Sequence, residues 1–213
     1  MPDNYYEDDH VVIYHGDCKE LLPDLVFDVV VTDPPYGINL KTDYSHLKGS
    51  TKTFSPVVGD NKKFDPSFLF ALNKPMALFG VDHYMTQQMI NGTLHVWDKR
   101  ENSKPNLFAD FETIWTSYTS GPSRMFRYQW LCGVHPNTKN EKSQHPTQKP
   151  IPVMKWILEH KKFPEGVILD PFMGSGSTLR AAKDLGRKAI GIEIEEKDSE
   201  IAAKRMGQEV LPI

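Results

Sequence analysis

Cysteine, net charge and long apolar runs are all scarce in this chain. There are two cysteines in 213 residues, Cys18 and Cys132. Two cannot build a disulfide framework, and neither has partners at zinc-ligand spacing, His135 near Cys132 being an isolated neighbour. No metal is expected. The net charge is −3 and the pI about 6.2. That balance excludes a strongly basic nucleic-acid binder as a whole and leaves any such role to local patches. No apolar run approaches the length of a membrane span. The opening MPDNYYEDDH is acidic and lacks the basic-then-apolar order of a secretory signal. A cytoplasmic protein without a membrane partner is the expectation. The length suits one sizeable core, so the whole of 1–213 is expected to form a single domain.

What is present is alternation. VVIYHG (11–16), FDVVVTD (27–33), PMALFG (75–80), GVILDPFMG (166–174) and KAIGIEI (188–194) read as strands. FDVVVTD is apolar on both faces, as a parallel strand covered on both sides should be. TLHVWDK (93–99) and FETIWTSY (111–118) read as antiparallel neighbours. Helices are expected after Asp17, at 81–92, at 153–162 behind Pro150 and Pro152, at 178–186 and at 199–206. Strands alternating with helices imply an α/β fold with a doubly wound, mostly parallel sheet. Trp97, Trp115, Trp130 and Trp156 are expected in the core or at its rim.

Two stretches break the alternation. Residues 41–65 read as a flexible loop, and 119–149 as irregular chain rich in glycine and proline. Both are net positive inside a net negative protein. Each alone reads as a solvated loop; two flanking one edge of the sheet point toward a polyanion. Lys48, Lys52, Arg124 and Arg127 are the candidate contacts, with plain solvated side chains as the alternative.

Ligands of open α/β sheets sit beyond the carboxyl ends of strands. VILDPFMGSGST is such an end, and Gly174 and Gly176 permit a tight turn before a helix N-terminus. Glu193 follows about 20 residues past the glycines, the separation at which an acid accepts both ribose hydroxyls of a nucleoside. Leu179 stands where a dinucleotide fingerprint wants a third small residue, and no GxxxxGK[ST] loop occurs. Asp170, just before the turn, either meets a ligand ammonium or merely stops the strand.

DPPYG (33–37), HPTQKP (145–150), DPFMGSGST (170–178) and GIEI (191–194) occur in that order. Together they resemble the β-class DNA amino-methyltransferases, over nearly the whole chain. The resemblance implies a Rossmann-like S-adenosylmethionine-dependent methyltransferase fold with circularly permuted motif order, in which GIEI lies beside VVIYHGD. It implies S-adenosylmethionine as cofactor and double-stranded DNA as partner. The cofactor-binding residues it implies are Asp17 and Cys18 at the adenine, His145, Thr147 and Lys149 near the methionine part, and Asp33. To these it adds Asp170, Phe172, Gly174, Ser175, Gly176 and Glu193. Asp17 also suits a helix N-cap, Lys149 a solvated loop lysine, and Phe172 either the adenine ring or the core.

For DPPY the resemblance has a mechanical content. An exocyclic amine is a poor nucleophile while its lone pair is delocalised into the base. The Asp33 carboxylate and the Pro34 carbonyl are two acceptors that bias the nitrogen toward tetrahedral geometry. Pro34 and Pro35 hold the turn stiff, Tyr36 stacks on an extruded base, and Gly37 leaves room. Members with aspartate at the first position more often act on adenine N6, those with serine on cytosine N4. Asp33 matches adenine, with cytosine N4, a catalytically silent DNA-binding relative, and methylation of RNA or a protein amide as alternatives. The family's target-recognition insert is short here, roughly 119–144. Sequence readout is then brief, shared with 41–65, or completed by a second subunit of a homodimer.

Overall fold

The computed structural model describes residues 3–45, 53–100, 109–118, 121–130 and 144–208. Its centre is β3 (Val29–Thr32), in which every residue is buried. Branched side chains favour the extended backbone, and burial on both faces requires cover on both. β3 pairs in parallel with β4 (Met76–Phe79) on one side and with β8 (Ile168–Asp170) on the other. β9 (Ala189–Glu193) lies beyond β8, followed by β2 (Val11–His15) and a short β1 (Tyr6–Glu7). On the other flank stand β6 (Phe111–Thr116), β5 (Thr93–Asp98) and β7 (Met125–Arg127). The sheet order is β1-β2-β9-β8-β3-β4-β6-β5-β7. β2 pairs with β9 in parallel, so GIEI does sit beside VVIYH. β5 and β6 are antiparallel neighbours.

The period of two along β3 sorts its side chains between two cores. Val29 and Val31 face one side with Val11, Ile13, Phe79 and Ile168. That side is covered by α3 (Ile151–Leu158), α4 (Ser177–Asp184) and α5 (Glu196–Met206) through Val153, Ile157, Leu179, Ala182, Ala202 and Met206. Val30 faces the other side with Leu78, Leu169 and Ile192. There it meets α1 (Cys18–Leu21) and α2 (Ser67–Ala71) through Cys18 and Leu69. Trp97, Trp115 and Trp130 are buried, and Trp156 packs partly buried against the first core.

Several boundaries differ from the sequence reading. No continuous helix covers 81–92: two 3-10 turns, Val81–His83 and Gln87–Asn91, flank an extended Thr86. Val81, Tyr84 and Met89 are buried at nearly helical spacing, while Met85 and Ile90 stay exposed, so the apolar pattern mimics a helix. Part of the irregular stretch 119–149 is a strand, β7, which joins β5 in parallel. Three residues are too few to show an alternating pattern. α3 starts at Ile151, with Pro152 in the first turn, where its missing N–H is no loss. α5 starts at Glu196, with acids in its first turn and Lys204 and Arg205 in its last, as the helix dipole favours. The strand expected over 166–174 is confined to Ile168–Asp170, and α4 begins at Ser177.

Candidate active site

From β3 the chain moves toward β4, and from β8 it moves the opposite way toward β9. The neighbouring carboxyl ends of β3 and β8 are therefore a switch point, where such sheets open a crevice. A cavity of about 870 Å³ lies there. Asp33, Pro34, Pro35 and Tyr36 line it from the end of β3. Asp170, Phe172, Gly174 and Ser175 line it from β8, Glu193 from β9, Asp17 and Cys18 from β2, and His145, Thr147 and Lys149 from the approach to α3.

Fixed hydrogen bonds hold these ends together. The Asp170 carboxylate accepts from Thr32 Oγ1 at 2.7 Å, Thr178 Oγ1 at 2.5 Å and the Phe172 amide at 3.2 Å. It thereby staples β3 to the start of α4, and burial pushes its carboxyl up to about 6 against those donors. Glu193 accepts from the amides of Gly174 and Glu195, both at 2.9 Å, one on each oxygen. The carboxylate keeps acceptor capacity for a ligand. Burial raises the Glu193 carboxyl to about 7. Asp17 caps α1 by accepting from the Lys19 amide at 2.8 Å. Burial pushes the Cys18 thiol up to about 11.

Gly176 departs from the expected pattern. It does not line the cavity; it has φ +77°, and a Cβ there would lie 3.0 Å from Ala202 Cβ. Its smallness serves the packing of α4 on α5. His145 Nδ1 accepts from the Thr147 amide at 3.3 Å, which places the proton on Nε2, 3.8 Å from Asp198 Oδ2. Burial lowers the His145 imidazole to about 4, so it is neutral. Gln148 Oε1 accepts from Ser175 Oγ at 3.2 Å and ties this segment to the glycine turn. Phe172 meets Phe64 and Phe68 edge to face, at 5.6 and 6.2 Å, and the three form an aromatic wall of the cavity.

The sequence pattern carries no sign of the charged cluster around Asp33. Lys149 is buried, and its Nζ bonds Asp33 Oδ2 and lies 3.1 Å from Glu112 Oε1. Lys99 holds Glu112 Oε2 at 2.6 Å. Tyr36 Oη donates its one proton to Asp33 Oδ1 at 2.5 Å and lies 3.1 Å from Glu112 Oε1, within reach of it. Burial, joined by the Glu112 charge, raises the Asp33 carboxyl, with Lys149 opposing. Burial also pushes Glu112 upward, yet two lysines overcome it and hold that carboxyl down at about 2. Tyr36 stacks on His83, centroids 4.9 Å apart, and Gly80 makes its position possible: a Cβ there would sit 2.0 Å from Tyr36 Cζ.

Asp60 is the second residue without a sequence signal. It is buried, and it accepts from the amides of Gly37 at 2.8 Å, Ile38 at 3.3 Å and Leu40 at 2.7 Å. This anchors the DPPY exit to the stretch read as a flexible loop, whose Lys41, Lys62 and Lys63 line the cavity. Asp60→Ala leaves three amides without their acceptor. The expected loss is about 1–3 kcal/mol, or roughly 2–4 °C of melting temperature for each kcal/mol, with slower turnover. An unchanged thermal melt would contradict the anchoring role.

Arg124 and Arg127 do not line the cavity. Arg127, on β7, is exposed, and its Nε lies 3.5 Å from Asp98 Oδ2; the Arg124 amide donates to His95 Nδ1 at 3.2 Å. Lys48, Lys52 and Cys132 lie outside the described residues. Among the described residues no group of three or more His, Cys, Asp or Glu side chains is disposed to hold a metal. No helix among them is long and apolar enough to cross a membrane.

A glycine turn after β8, an acid ending β9 and a rigid acidic exit from β3, in permuted order, define a Rossmann-like methyltransferase fold. The PvuII DNA methyltransferase, described as cytosine-N4-specific, has that fold, with TM-score 0.63 at 18% identity over 97% of this chain and 90% of its own. The M1.HpyAVI–SAM complex matches with TM-score 0.54 at 22% identity over 93% of this chain and 100% of its own. The chain belongs to the N6/N4 DNA methylase family, whose sequence profile matches residues 57–204. Type II methyltransferase M.ScaI of Streptomyces caespitosus is 26% identical, over 96% of this chain and 84% of its own. Type II methyltransferase M.HinfI of Haemophilus influenzae is 28% identical, over 94% and 69%. The M.ScaI alignment spans 262 positions, more than the 213 residues here, so that relative carries segments this chain lacks.

Proposed function

We propose that this DNA methylase transfers the methyl group of S-adenosylmethionine to the exocyclic N6 amine of adenine in double-stranded DNA. The carrying observation is that Asp33, Tyr36, Glu193 and the glycine turn line one cavity at the switch point of the sheet. The residues fit the donor. The cavity volume falls within the range of small-molecule sites. Glu193 keeps acceptor capacity for the ribose, the Gly174 turn approaches it from β8, and Phe172 with Phe64 and Phe68 offers an apolar wall for the base. Asp17 and Cys18 also line the cavity and are proposed for the adenine, His145 and Thr147 for the methionine part, with Lys149 beside Asp33.

When bound, S-adenosylmethionine supplies an electrophilic methyl on a good leaving group. The chain supplies the nucleophile's geometry. Asp33 accepts one N–H of the amine and the Pro34 carbonyl the other, so the lone pair localises and points at the methyl carbon. The positive charge that methylation would place on the amine nitrogen is met by the Asp33 carboxylate, which would also accept the proton the nitrogen then sheds. The stiff Pro34–Pro35 turn, anchored through Asp60, keeps the acceptors in line. Tyr36 offers its ring to the extruded base once His83 yields the stacked face. Lys41, Lys62 and Lys63 at the cavity, together with Lys48, Lys52, Arg124 and Arg127, are the proposed phosphate and base contacts.

Aspartate at the first position of DPPY favours adenine. The cytosine-N4 specificity of the PvuII neighbour keeps cytosine as the second reading. Single-molecule sequencing of DNA from cells expressing the chain tests both base and context. The expected result is N6-methyladenine in one fixed context; N4-methylcytosine in a fixed context overturns the adenine assignment.

A further inference from the structure

In the free protein each Asp33 oxygen already serves one strong donor. Oδ1 accepts from Tyr36 Oη, and Oδ2 from Lys149 Nζ. A third donor on the same carboxylate weakens all three bonds, so Asp33 serves a substrate amine best once one of the two moves off. Neither donor can simply be released. The Lys149 side chain is 7% exposed, and a buried ammonium stripped of its partner is strongly destabilising.

Glu112 resolves the conflict by position. Its Oε1 lies 3.1 Å from both Lys149 Nζ and Tyr36 Oη, so both donors on Asp33 have it within reach as an alternative acceptor. Its Oε2 is held by Lys99, which fixes the carboxylate from the far side. We propose that Glu112 is a positioning residue that takes over Lys149 and the Tyr36 hydroxyl when Asp33 turns to the substrate amine. This rests on the reading of Asp33 as the amine's acceptor. It assigns Lys149 to the substrate side of the cavity as a mobile counter-ion, rather than to the cofactor carboxylate.

The charged and titratable groups facing this exchange are Asp33 and Tyr36 from the exit of β3, Glu112 from β6 and Lys99 after β5. His145 precedes Lys149 on its own segment, and Asp170 and Tyr84 face Asp33. With Glu112 neutralised, Asp33 is the one anionic partner left to Lys149 among the described residues, and Lys149 should lock it.

The test is single-turnover transfer of labelled methyl from S-adenosylmethionine, using the full chain in excess over whole-genome-amplified, unmethylated DNA from about pH 6 to about pH 9. Glu112→Gln should slow transfer at least about tenfold, with cofactor affinity unchanged within about threefold. Adding Lys149→Met to Glu112→Gln should recover at least about threefold near pH 9, because the locking ammonium is gone. Lys149→Met alone should move the acidic limb of the profile up by about one pH unit or more, since Asp33 then faces Glu112 without a cation. A Glu112→Gln rate within about threefold of the native chain overturns the proposal, as does a double variant no faster than Glu112→Gln. Should circular dichroism show Glu112→Gln unfolded, an unshifted limb in Lys149→Met overturns it alone. A native chain that binds cofactor but methylates none of this DNA overturns the reading of Asp33 itself, and this inference with it.

Discussion

Asp33→Ala is expected to slow methyl transfer by at least about a thousandfold while S-adenosylmethionine binds within about threefold of the native affinity. The split follows from geometry. Asp33 lines the cavity at the β3 exit, whereas the backbone amides, the aromatic wall and Glu193 that suit a nucleoside come from β8, β9 and α2. Removing the carboxylate takes away the acceptor that localises the amine lone pair and offsets its growing charge. It leaves Lys149 with Glu112 at 3.1 Å, so the variant avoids an unpaired buried ammonium and should fold. Asp33→Asn should also fail, because an amide can turn an N–H toward the incoming amine. Stopped-flow or calorimetric cofactor binding beside a labelled-methyl assay checks both halves. A variant with native turnover would refute the role.

Glu193→Ala carries the second large effect, on binding instead of chemistry. Losing the carboxylate proposed to accept two ribose hydroxyls should weaken cofactor affinity by about tenfold to a hundredfold, at about 1.4 kcal/mol per decade. The Gly174 and Glu195 amides lose their acceptor too, at about 1–2 kcal/mol of stability. The native chain should show a matching pH dependence. Burial raises the Glu193 carboxyl to about 7, so it is largely protonated at pH 6. Cofactor affinity should therefore fall by up to about tenfold from pH 8 to pH 6 and level off above. The sign for the free protein is opposite. An acid with raised folded pKa contributes stability below its unfolded value near 4.5, and that contribution is lost as pH rises through about 7. Calorimetry showing unchanged affinity in Glu193→Ala, or a flat pH dependence in the native chain, would contradict the ribose role.

The parts of this site that could be read from the sequence are those fixed by neighbours in the chain. Val29–Val31 announces a strand buried on both faces, DPPY stiffens its own exit, and the Gly174 turn and Glu193 lie on one strand–helix–strand unit with regular spacing. The partners that complete the site arrive from afar. Glu112 reaches Lys149 only because β6 pairs with β4, and nothing in FETIW marks its glutamate as buried beside two lysines. Asp60 reads as an ordinary loop acid until its carboxylate is seen to hold three amides of the DPPY exit. Phe64 and Phe68 become ligand wall only against Phe172. The 3-10 turns of 81–92 carry a helical apolar spacing without a helix, since Thr86 is extended. β7 is legible only through its register with β5. At Gly176 the motif suggests ligand approach, and the structure adds a packing reason, since a Cβ there would meet Ala202.

The most direct measurement is nucleoside mass spectrometry of unmethylated double-stranded DNA incubated with the purified chain and isotopically labelled S-adenosylmethionine. Label is expected in N6-methyldeoxyadenosine, and absent when Asp33→Ala replaces the native chain. Label in no nucleoside, or undiminished label with Asp33→Ala, would contradict the proposed function.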